Sequence, residues 1–485
     1  MIPLSKPSRG TRSLPARIST AARPPTAIAN GAAAGRVPLP WVVAGIVFAV
    51  CAGVSVRLHQ RMLTSGFDLG IFEQTVRSWA HGHLPVVDLK GPGFPELGDH
   101  FSPILATLAP FYRIWPSPYV LLVAQAALLA VAAVPLARWA LRALGPAAAW
   151  TVGLSYGFSW GVASAVGFDF HEYAFAVPLV SFSLCALGQR GLRAAALWAL
   201  PLLLVKEDLG LTVATIGLLI AYRGRRRWGL ATACAGVAGT LVETLVVIPA
   251  FNPFGHYSYW RSMGGTSGGL PQSLYRATVG LVAAPEPKAV TLVLLFAPTA
   301  FLALRSPLAW AAVPTLLWRF ASDNPMYWGT GYQYSAVLVP VVFAAFVDSL
   351  VRQPVDRRML RHLLTVSATV TLLLLPQFPL FQLVQPRTWH TPERIATARA
   401  IMRLIPDGAT VAASNQIVPQ LTDRCTVTEF GVTGSPDPQW IMVDTAFVPG
   451  WPISGGQQAD ELAQARDHGY RTAADTGGYL LLHRV

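Results

Sequence analysis

The chain has 485 residues, of which 53% are hydrophobic and 13% are charged, and its formal net charge is +13. An ordinary soluble domain carries about 25% charged residues, so the composition excludes a soluble globular fold for most of the length. The basic residues lie in short segments between apolar runs, as the orientation signals of membrane proteins do. We therefore expect no nucleic-acid partner.

The first segment, residues 1–38, is rich in Arg, Ser, Pro and Ala and lacks acidic residues. A segment of this composition cannot bury enough apolar surface to form a core. The apolar run at 39–56 is long enough to cross a bilayer, and no clear small-residue cleavage site follows it. We predict a disordered, basic cytoplasmic tail at 1–38 and a retained first transmembrane helix.

Further apolar runs predict an all-α polytopic membrane domain at 39–384, with ten or eleven transmembrane helices. Two of the runs, 194–205 and 307–320, are short for a complete crossing, and the segment 103–115 is a candidate re-entrant segment. The runs are 39–56, 118–137, 146–166, 173–189, 194–205, 209–222, 228–250, 289–304, 307–320, 334–351 and 362–381.

The arginines between these runs predict the orientation of the chain. If the N-terminal tail is cytoplasmic, the loops that also fall inside carry most of the remaining arginines, as the positive-inside rule requires. The loops rich in Asp, Glu, His, Tyr and Trp then fall outside, including a large first external loop at 57–117. The inside group is Arg138, Arg142, Arg190, Arg193, Arg223, Arg225, Arg226, Arg227, Arg305, Arg352, Arg357, Arg358 and Arg361.

The last segment, 385–485, has the pattern of a small extracytoplasmic α/β domain. Short strands are predicted within 405–421 and 440–449, an amphipathic helix at 455–470 and a final strand at 477–485. The segment contains no glycine-rich nucleotide loop and no catalytic triad signature. We interpret it as a recognition or packing module.

Asp68 in the first external loop is the candidate general base. Leu69, Phe72, Val76 and Trp79 form the apolar face of a helix, so Asp68 lies at or near its N-terminus. One interpretation is an N-cap. The other is a base at the mouth of the membrane domain, and both remain open from the sequence.

Two acidic and histidine clusters are candidate ligands for Mg²⁺ or Mn²⁺. Asp99 and His100 are adjacent, and Asp169, His171 and Glu172 occur within four residues at the outer end of a predicted span. Carboxylate and imidazole groups suit such divalent cations. A polar cluster solvated at the membrane interface is the alternative.

The segment "LLLVKEDLGLTV" places Lys206, Glu207 and Asp208 between two apolar runs, where charges are costly unless they are paired or face water. Lys206 is a candidate for holding a phosphate. A tight turn with a self-neutralising pair is the alternative.

The last loop of the membrane domain, "WRFASDNPMYWGTGYQYSA", mixes aromatic rings with polar groups. Aromatic rings stack on sugar rings and amide groups bond hydroxyls, so Tyr332, Gln333 and Tyr334 are candidate substrate contacts. An aromatic belt at the membrane interface would also explain the rings.

Four segments, "FDLGIFEQ", "GDHFSP", "FDFHEYAFAVP" and "KEDLGL", occur in this order among the apolar runs. Together they resemble a bacterial family of polytopic membrane proteins of unknown function, the DUF2079 type, over about residues 40–450. That family is in turn similar to the GT-C class of membrane glycosyltransferases, which use sugars linked to polyprenyl phosphate.

The resemblance implies roles for the candidate residues. Asp68 corresponds to the essential acid that follows the first transmembrane helix, and Lys206 and Arg319 would contact the lipid phosphate. The two acidic and histidine clusters would contact a metal or the acceptor. Several members of the class carry a second acid beside the first, and here Glu73 is the nearest, so it joins the substrate-binding candidates.

The expected function is therefore transfer of a sugar from a polyprenyl-phosphate donor to an extracytoplasmic glycan, lipid or protein, in the bacterial plasma membrane. A transporter or flippase, with Lys206, Glu207, Asp208 and Glu243 along its pathway, is one alternative. A non-catalytic scaffold for envelope enzymes is another.

Overall fold

The structure, a computed structural model, describes residues 38–259, 275–353, 355–432 and 437–485. The predicted tail therefore lies outside the described residues except for Pro38. The described residues are mostly helical. The helices are α1 (Leu39–Gln60), α2 (Ile71–Ala80), α3 (Ala109–Ile114), α4 (Tyr119–Leu144), α5 (Pro146–Gly157), α6 (Trp160–Gly167), α7 (Tyr173–Gly188), α8 (Leu192–Ala199), α9 (Leu209–Tyr222), α10 (Arg226–Val242), α11 (Ile248–Phe251), α12 (Pro285–Phe296), α13 (Val313–Ala321), α14 (Leu338–Arg352), α15 (Arg357–Leu374), α16 (Pro386–Trp389), α17 (Glu393–Met402) and α18 (Gly455–Asp467).

Every apolar run of the sequence forms helical structure, but only some of the runs form long helices. Among the described residues, five helical segments are long and apolar enough to cross a membrane: Leu39–Gln60, Tyr119–Leu144, Arg226–Phe251, Gln333–Arg352 and Arg357–Gln377. Other runs form shorter or interrupted helices. The number of crossings, ten or eleven, stays a prediction.

Two interruptions show why a continuous apolar run does not form one helix. The run at 146–166 divides into α5 and α6 at Phe158 and Ser159, where the Ser159 hydroxyl donates to Tyr156 O at 2.7 Å. The run at 289–304 breaks at Ala300 and Phe301, which both have positive φ. Hydrophobicity is preserved through these breaks, so the pattern alone could not locate them.

Helices α9 and α10 pack closely because glycines line their contact. A Cβ added at Gly217 would lie 2.4 Å from Ala233 N, and one added at Gly236 would lie 2.4 Å from Gly210 O. Small residues let helix backbones approach in this way in membrane proteins. The close packing fixes the start of α9, which carries part of the site described below.

The C-terminal segment forms a five-stranded sheet of β1 (Thr410–Ala413), β2 (Thr426–Glu429), β3 (Trp440–Asp444), β4 (Tyr470–Thr476) and β5 (Tyr479–Arg484). The strand order is β2-β1-β3-β5-β4. The first three strands pair in parallel, and β5 pairs antiparallel with β3 and β4. Strands in β1, β3 and β5 and the helix α18 agree with the sequence prediction, whereas β2 and β4 were not predicted.

The C-terminal sheet holds the turn that precedes α2. Asn415, just after β1, accepts the backbone N–H of Gly66 on its side-chain oxygen at 2.7 Å and that of Phe67 at 3.2 Å. A Cβ at Gly66 would lie 2.8 Å from Val418, so this close approach requires glycine. Gln74 of α2 also donates to Val427 O at 2.8 Å. The sheet therefore fixes the position of Asp68.

A buried ionic cluster lies at the opposite end of the bundle, where α9 and α14 end. Asp348 is 1% exposed. It accepts a hydrogen bond from Ser306 at 2.6 Å and forms an ion pair with Arg223 at 3.3 Å. Arg352 lies 3.6 Å from the same carboxylate. Arg223 and Arg352, both predicted to be cytoplasmic, thus share one end of the molecule, while their side of the membrane stays a prediction.

Candidate functional site

A cavity of about 710 Å³ lies at the end of the helical bundle where α2, α7, α9 and α14 begin. It brings together segments that are far apart in sequence, including the first loop, the start of α7 and the turn before α9. The charged described residues that line it are six carboxylates, Asp68, Glu96, Asp99, Glu172, Glu207 and Asp208, and two lysines, Lys90 and Lys206, beside His100 and His171.

Asp68 lies in the helical turn Gly66–Gly70 and lines the cavity, with its side chain 20% exposed. Its Oδ1 is 3.0 Å from His171 Nε2, and its Oδ2 accepts the Ser65 hydroxyl at 2.9 Å. The carboxylate accepts no backbone N–H among the described residues, so the helix-cap interpretation is not supported. Two polar neighbours orient Asp68 toward the cavity.

Helix α4 holds the segment that supplies His171. Gln125 accepts the His171 backbone N–H at 3.0 Å and donates to Asp169 O. Asp169 itself has a φ of 57° and accepts the Ser65 backbone N–H at 2.7 Å. Asp169 is buried and does not line the cavity. It therefore supports the Asp68 turn from behind.

Lys206 lines the cavity and pairs with a carboxylate from another helix. Its ammonium is 2.5 Å from Glu172 Oε1 and 5.0 Å from the Tyr173 ring centroid. Burial disfavours the lysine charge, but Glu172, Glu207 and Asp208 outweigh that effect and raise the Lys206 pKa. The turn is therefore not neutralised within itself, and Lys206 presents a stable positive charge.

Glu207 and His100 form a second pair across 107 positions of sequence. His100 Nδ1 is 2.8 Å from Glu207 Oε1, and the Tyr257 hydroxyl donates to the same oxygen at 2.8 Å. Burial alone would raise the Glu207 pKa, but His100 and Lys206 lower it to about 2. His100 also stacks on Tyr259, with ring centroids 4.6 Å apart.

Lys90 is the second cation in the cavity. Its ammonium is 2.5 Å from Asp99 and 2.8 Å from Glu96. Burial of Asp99 would raise its pKa, but Lys90 and His100 outweigh burial and hold the Asp99 pKa well below its usual value. The first loop thus contributes a half-buried lysine that two carboxylates keep charged.

Arg319 does not reach the cavity, contrary to the predicted phosphate contact. It is fully buried, and its guanidinium donates to Tyr327 O at 2.7 Å, Gly329 O at 3.1 Å and Ser335 Oγ at 3.1 Å. Arg319 was predicted to lie in a loop, but it belongs to the last turn of α13, and the backbone of the following loop accepts its hydrogen bonds. Arg319 therefore shapes the 322–335 loop.

Glu73 also lies outside the cavity, contrary to its predicted substrate contact. It is fully buried on α2, facing the C-terminal domain, where it accepts the Tyr112 hydroxyl at 2.9 Å and the Thr422 hydroxyl. Burial raises the Glu73 pKa to about 8, although those hydrogen bonds and Arg77 favour the ionised form. It is part of the contact between the first loop and the sheet.

The three predicted aromatic and amide contacts separate into two groups. Gln333 and Tyr334 line the cavity, and the buried Gln333 Oε1 accepts no hydrogen bond from a described residue. Tyr332 does not line it and packs edge-on against Phe168, with centroids 4.6 Å apart. Tyr332 therefore supports the wall of the site.

Each of the five predicted metal ligands has a protein partner, and a metal requirement stays a prediction. In the part of the chain that the structure describes, no group of three or more His, Cys, Asp or Glu residues is arranged to hold a metal ion. His100 pairs with Glu207, Asp99 with Lys90, and Glu172 with Lys206.

The sequence analysis missed three groups of the cavity: Lys90, Glu96 and the Tyr257–Tyr259 segment. Lys90 occurs in "VVDLKGPGFPELGDH", where one lysine lies among three acidic residues. That isolated cation was the available signal. The tyrosines had no comparable signal, because their contacts to Glu207 and His100 join segments that are distant in sequence.

Comparisons with known proteins give one family and one fold. Residues 58–481 match a family described as "Predicted membrane protein (DUF2079)". The sequence matches no curated protein. Two solved structures of similar fold are those of ArnT from Cupriavidus metallidurans, one bound to undecaprenyl phosphate and one in the apo state.

The similarity to ArnT extends over nearly the whole chain. The bound ArnT structure is 14% identical and has a TM-score of 0.53, covering 93% of this chain and 99% of its own. The apo structure gives the same identity and TM-score, with 92% and 98% coverage. At this identity the similarity shows the fold alone. It confirms the predicted fold class, a GT-C-like helical membrane domain with a small C-terminal sheet domain.

Proposed function

The chain belongs to the DUF2079 family of predicted membrane proteins, and we propose that it is a GT-C-like glycosyltransferase. In this proposal it moves a sugar from a polyprenyl-phosphate donor to an acceptor on the extracytoplasmic side of the bacterial plasma membrane. The observation that carries the proposal is a single cavity that is lined by Asp68 and by the two lysines Lys90 and Lys206.

Asp68 is suited to act as the general base. Its carboxylate is partly exposed to the cavity, and His171 and Ser65 hold it in one orientation. The acceptor hydroxyl would transfer its proton to Asp68 while its oxygen forms a bond to the anomeric carbon. General-base help of this kind contributes about 10² to 10⁴ in rate.

The two lysines are suited to stabilise the leaving group. As the bond between the anomeric carbon and the phosphate oxygen breaks, the electron pair stays on the polyprenyl phosphate. Lys206 and Lys90 are the described cations lining the cavity other than histidine, and both are kept protonated by carboxylate neighbours. Cations placed where negative charge develops lower the barrier.

The remaining lining suits a sugar. Six carboxylates can accept hydrogen bonds from hydroxyls, and Trp318, Tyr327 and Tyr334 add aromatic surface to the same wall. Gln333 has a buried carbonyl oxygen that a hydroxyl could satisfy. A polyhydroxyl ring would therefore meet both stacking surface and hydrogen-bond acceptors.

A lipid-linked donor fits the position of the cavity. Leu211, Thr240 and Thr244 of the α9 and α10 region contribute to the lining. Next to them, Leu241 and Leu245 are exposed apolar side chains on a candidate membrane span. A polyprenyl chain could follow that surface while its phosphate enters the cavity, and the similar ArnT structure contained undecaprenyl phosphate.

The test is transfer of radiolabelled sugar from a panel of polyprenyl-phosphate donors to envelope fractions. Asp68→Asn keeps the shape of the side chain and should reduce transfer by about 10² to 10⁴. The matched control is Asp88→Asn, which changes a half-buried acid of the same loop that accepts Gly93 N–H at 3.0 Å, and this variant should transfer normally. Equal transfer by Asp68→Asn and the wild type, or no transfer from any donor, would favour the transporter or scaffold alternatives.

A further inference from the structure

A second cavity, of about 330 Å³, lies between the membrane domain and the C-terminal domain. It is lined by the end of α1, by the segment just before α4, and by residues around α17 and Gln420. It shares no lining residue with the larger cavity. Whatever it binds is therefore separate from the proposed transfer site.

The cavity lies at the level of a bilayer surface. Two candidate membrane spans, Leu39–Gln60 and Tyr119–Leu144, contribute to the cavity. Arg57 in the last turn of the first span and Tyr119 at the start of the second line it. Two adjacent membrane-spanning helices thus place it at one water boundary of the membrane.

Exposed tryptophans flank the cavity on both sides. Trp389 is 57% exposed and lies under the Arg57 guanidinium, 5.8 Å from it. Trp115 is 51% exposed and stacks on Tyr119, with centroids 5.9 Å apart. Exposed tryptophans are enriched at the headgroup level of membranes. The cavity therefore faces lipid headgroups.

Arg399 supplies free hydrogen-bond donors to this cavity. Among the described residues it donates one hydrogen bond, from Nη2 to Gln60 O at 2.5 Å, and a guanidinium carries five N–H groups in a fork that fits a phosphate. Arg57 lies in the same lining, but Thr388 O and Gln60 Oε1 take up most of its donors. Arg399 is thus the principal cation for an anionic group.

Asp423 supplies a hydrogen-bond acceptor to the same cavity, which complements the donors of Arg399. It lines the cavity, and its buried Oδ1 accepts no hydrogen bond from any described residue. Arg424 and Arg77 act on this carboxyl electrostatically, and the backbone N–H groups of Asp423 and Arg424 also interact with it, but the two guanidinium groups donate their hydrogen bonds to other oxygen atoms. A buried carboxylate oxygen without a donor favours a ligand that brings one.

We propose that this cavity binds the phosphoethanolamine headgroup of a membrane phospholipid. The phosphate would accept hydrogen bonds from Arg399, and the primary ammonium would donate to Asp423. The volume is near the lower end for small-molecule sites, which fits a headgroup whose acyl chains remain outside. A choline headgroup cannot donate a hydrogen bond, and a glycerol headgroup brings no cation to Asp423.

The experiment measures lipid retained by purified, delipidated protein in detergent. Phosphatidylethanolamine, phosphatidylcholine and phosphatidylglycerol with identical acyl chains are titrated, and bound lipid is counted by native mass spectrometry. The wild type should prefer the ethanolamine lipid over the choline lipid by about tenfold, the factor expected for one hydrogen bond between charged groups. Asp423→Asn, which preserves the side-chain shape, should remove that preference.

The remaining variants separate charge from folding. Arg399→Gln should lower retention of all three lipids, and Arg399→Lys should restore part of it. Arg403→Gln removes an arginine four positions away that lines a neighbouring surface cavity and not this one, so it should behave as the wild type does. Melting temperatures of all variants identify any loss of folding.

Several results would overturn the proposal. Equal retention of ethanolamine and choline lipids, or tighter retention of the glycerol lipid, would show that no ammonium meets Asp423. Unchanged retention in both Asp423→Asn and Arg399→Gln would exclude the cavity as the lipid site. Binding of soluble phosphoethanolamine as tightly as the lipid would show that the ligand is a free phosphate compound instead.

Discussion

Each end of the helical bundle contains a buried group of charges, and the two groups differ in what their charges face. At one end, Asp348 is surrounded by Ser306, Arg223 and Arg352, and these partners occupy its oxygens. At the other end, ion pairs such as Lys206 with Glu172 line a cavity of about 710 Å³.

This difference shows that burial of charged side chains alone does not identify a functional site. Both ends carry ionised side chains that are costly to place between apolar segments unless they are paired. At the Asp348 end the pairing is complete, so the charges hold helices together. At the cavity end some atoms, including Glu172 Oε2 and His171 Nδ1, have no hydrogen-bond partner among the described residues. Those atoms are free to meet a ligand.

We expect the largest change from a variant that disrupts the ionic cluster around Asp348. Asp348→Ala leaves Arg223 and Ser306 without their shared acceptor, and removing one partner of a buried ion pair costs about 3–5 kcal/mol. Thermal unfolding in detergent should show the loss. Sugar transfer per folded molecule should stay at the wild-type level, and a specific loss of transfer would show that this end also takes part in the function.

The second prediction concerns a variant that disrupts the ion pair of Lys206 with Glu172 at the cavity end. Lys206→Met removes a cation that the proposed mechanism places on the leaving phosphate, and we expect transfer to fall by about 10² to 10³, as for loss of one transition-state donor. The variant also leaves Glu172 unpaired, so its stability should fall.

The double variant Lys206→Met with Glu172→Gln separates these two effects. It removes the unpaired charge, so its melting temperature should rise above that of Lys206→Met. Transfer should remain as low as in the single variant. If transfer recovered together with stability, Lys206 would act only by holding the fold.

The helices could be predicted from the sequence because apolar length and period determine them directly. The breaks at Phe158 and Ala300 could not, since they interrupt the backbone without changing hydrophobicity. The four-residue strand β2 was missed for a similar reason. "TVTE" alternates over too few positions to stand out, and its pairing with β1 comes from tertiary contact.

The candidate site was predictable to the extent that residue type limits function. Asp68 was predicted from its position just after the first apolar run, and Lys206 because a charge between two apolar runs needs a partner or water; both line the cavity. Arg319 was predicted from the family resemblance, but it donates to carbonyls of the loop that follows α13. Which partner a buried charge takes depends on contacts between distant segments, such as His100 with Glu207, that a single sequence does not encode locally.

A further prediction concerns the pH dependence of stability and compares two acids of the first loop, Glu73 and Asp88. The folded protein holds the Glu73 pKa at about 8 against an ordinary value of 4.5, so the folded state binds an extra proton between those values. Its stabilising contribution is present below pH 4.5 and is lost as the pH rises through 8. One proton corresponds to about 1.4 kcal/mol for each pH unit.

Unfolding midpoints measured from pH 5 to pH 8 should therefore fall more steeply for the wild type than for Glu73→Gln. Asp88→Asn changes a half-buried acid of the same loop and should follow the wild-type slope. Parallel slopes for the wild type and Glu73→Gln would mean that Glu73 is ionised in the folded protein.

The smallest effect distinguishes a residue that faces the cavity from its neighbour that supports the wall. Gln333 lines the cavity with a buried Oε1 that lacks a described partner, whereas Tyr332 packs on Phe168. Because a neutral hydrogen bond contributes about 0.5–1.5 kcal/mol, Gln333→Ala should raise the KM for the donor by roughly twofold to tenfold. Tyr332→Leu should change it by less than about twofold. The reverse order would place the sugar against Tyr332 and would move the substrate out of the cavity that holds Asp68.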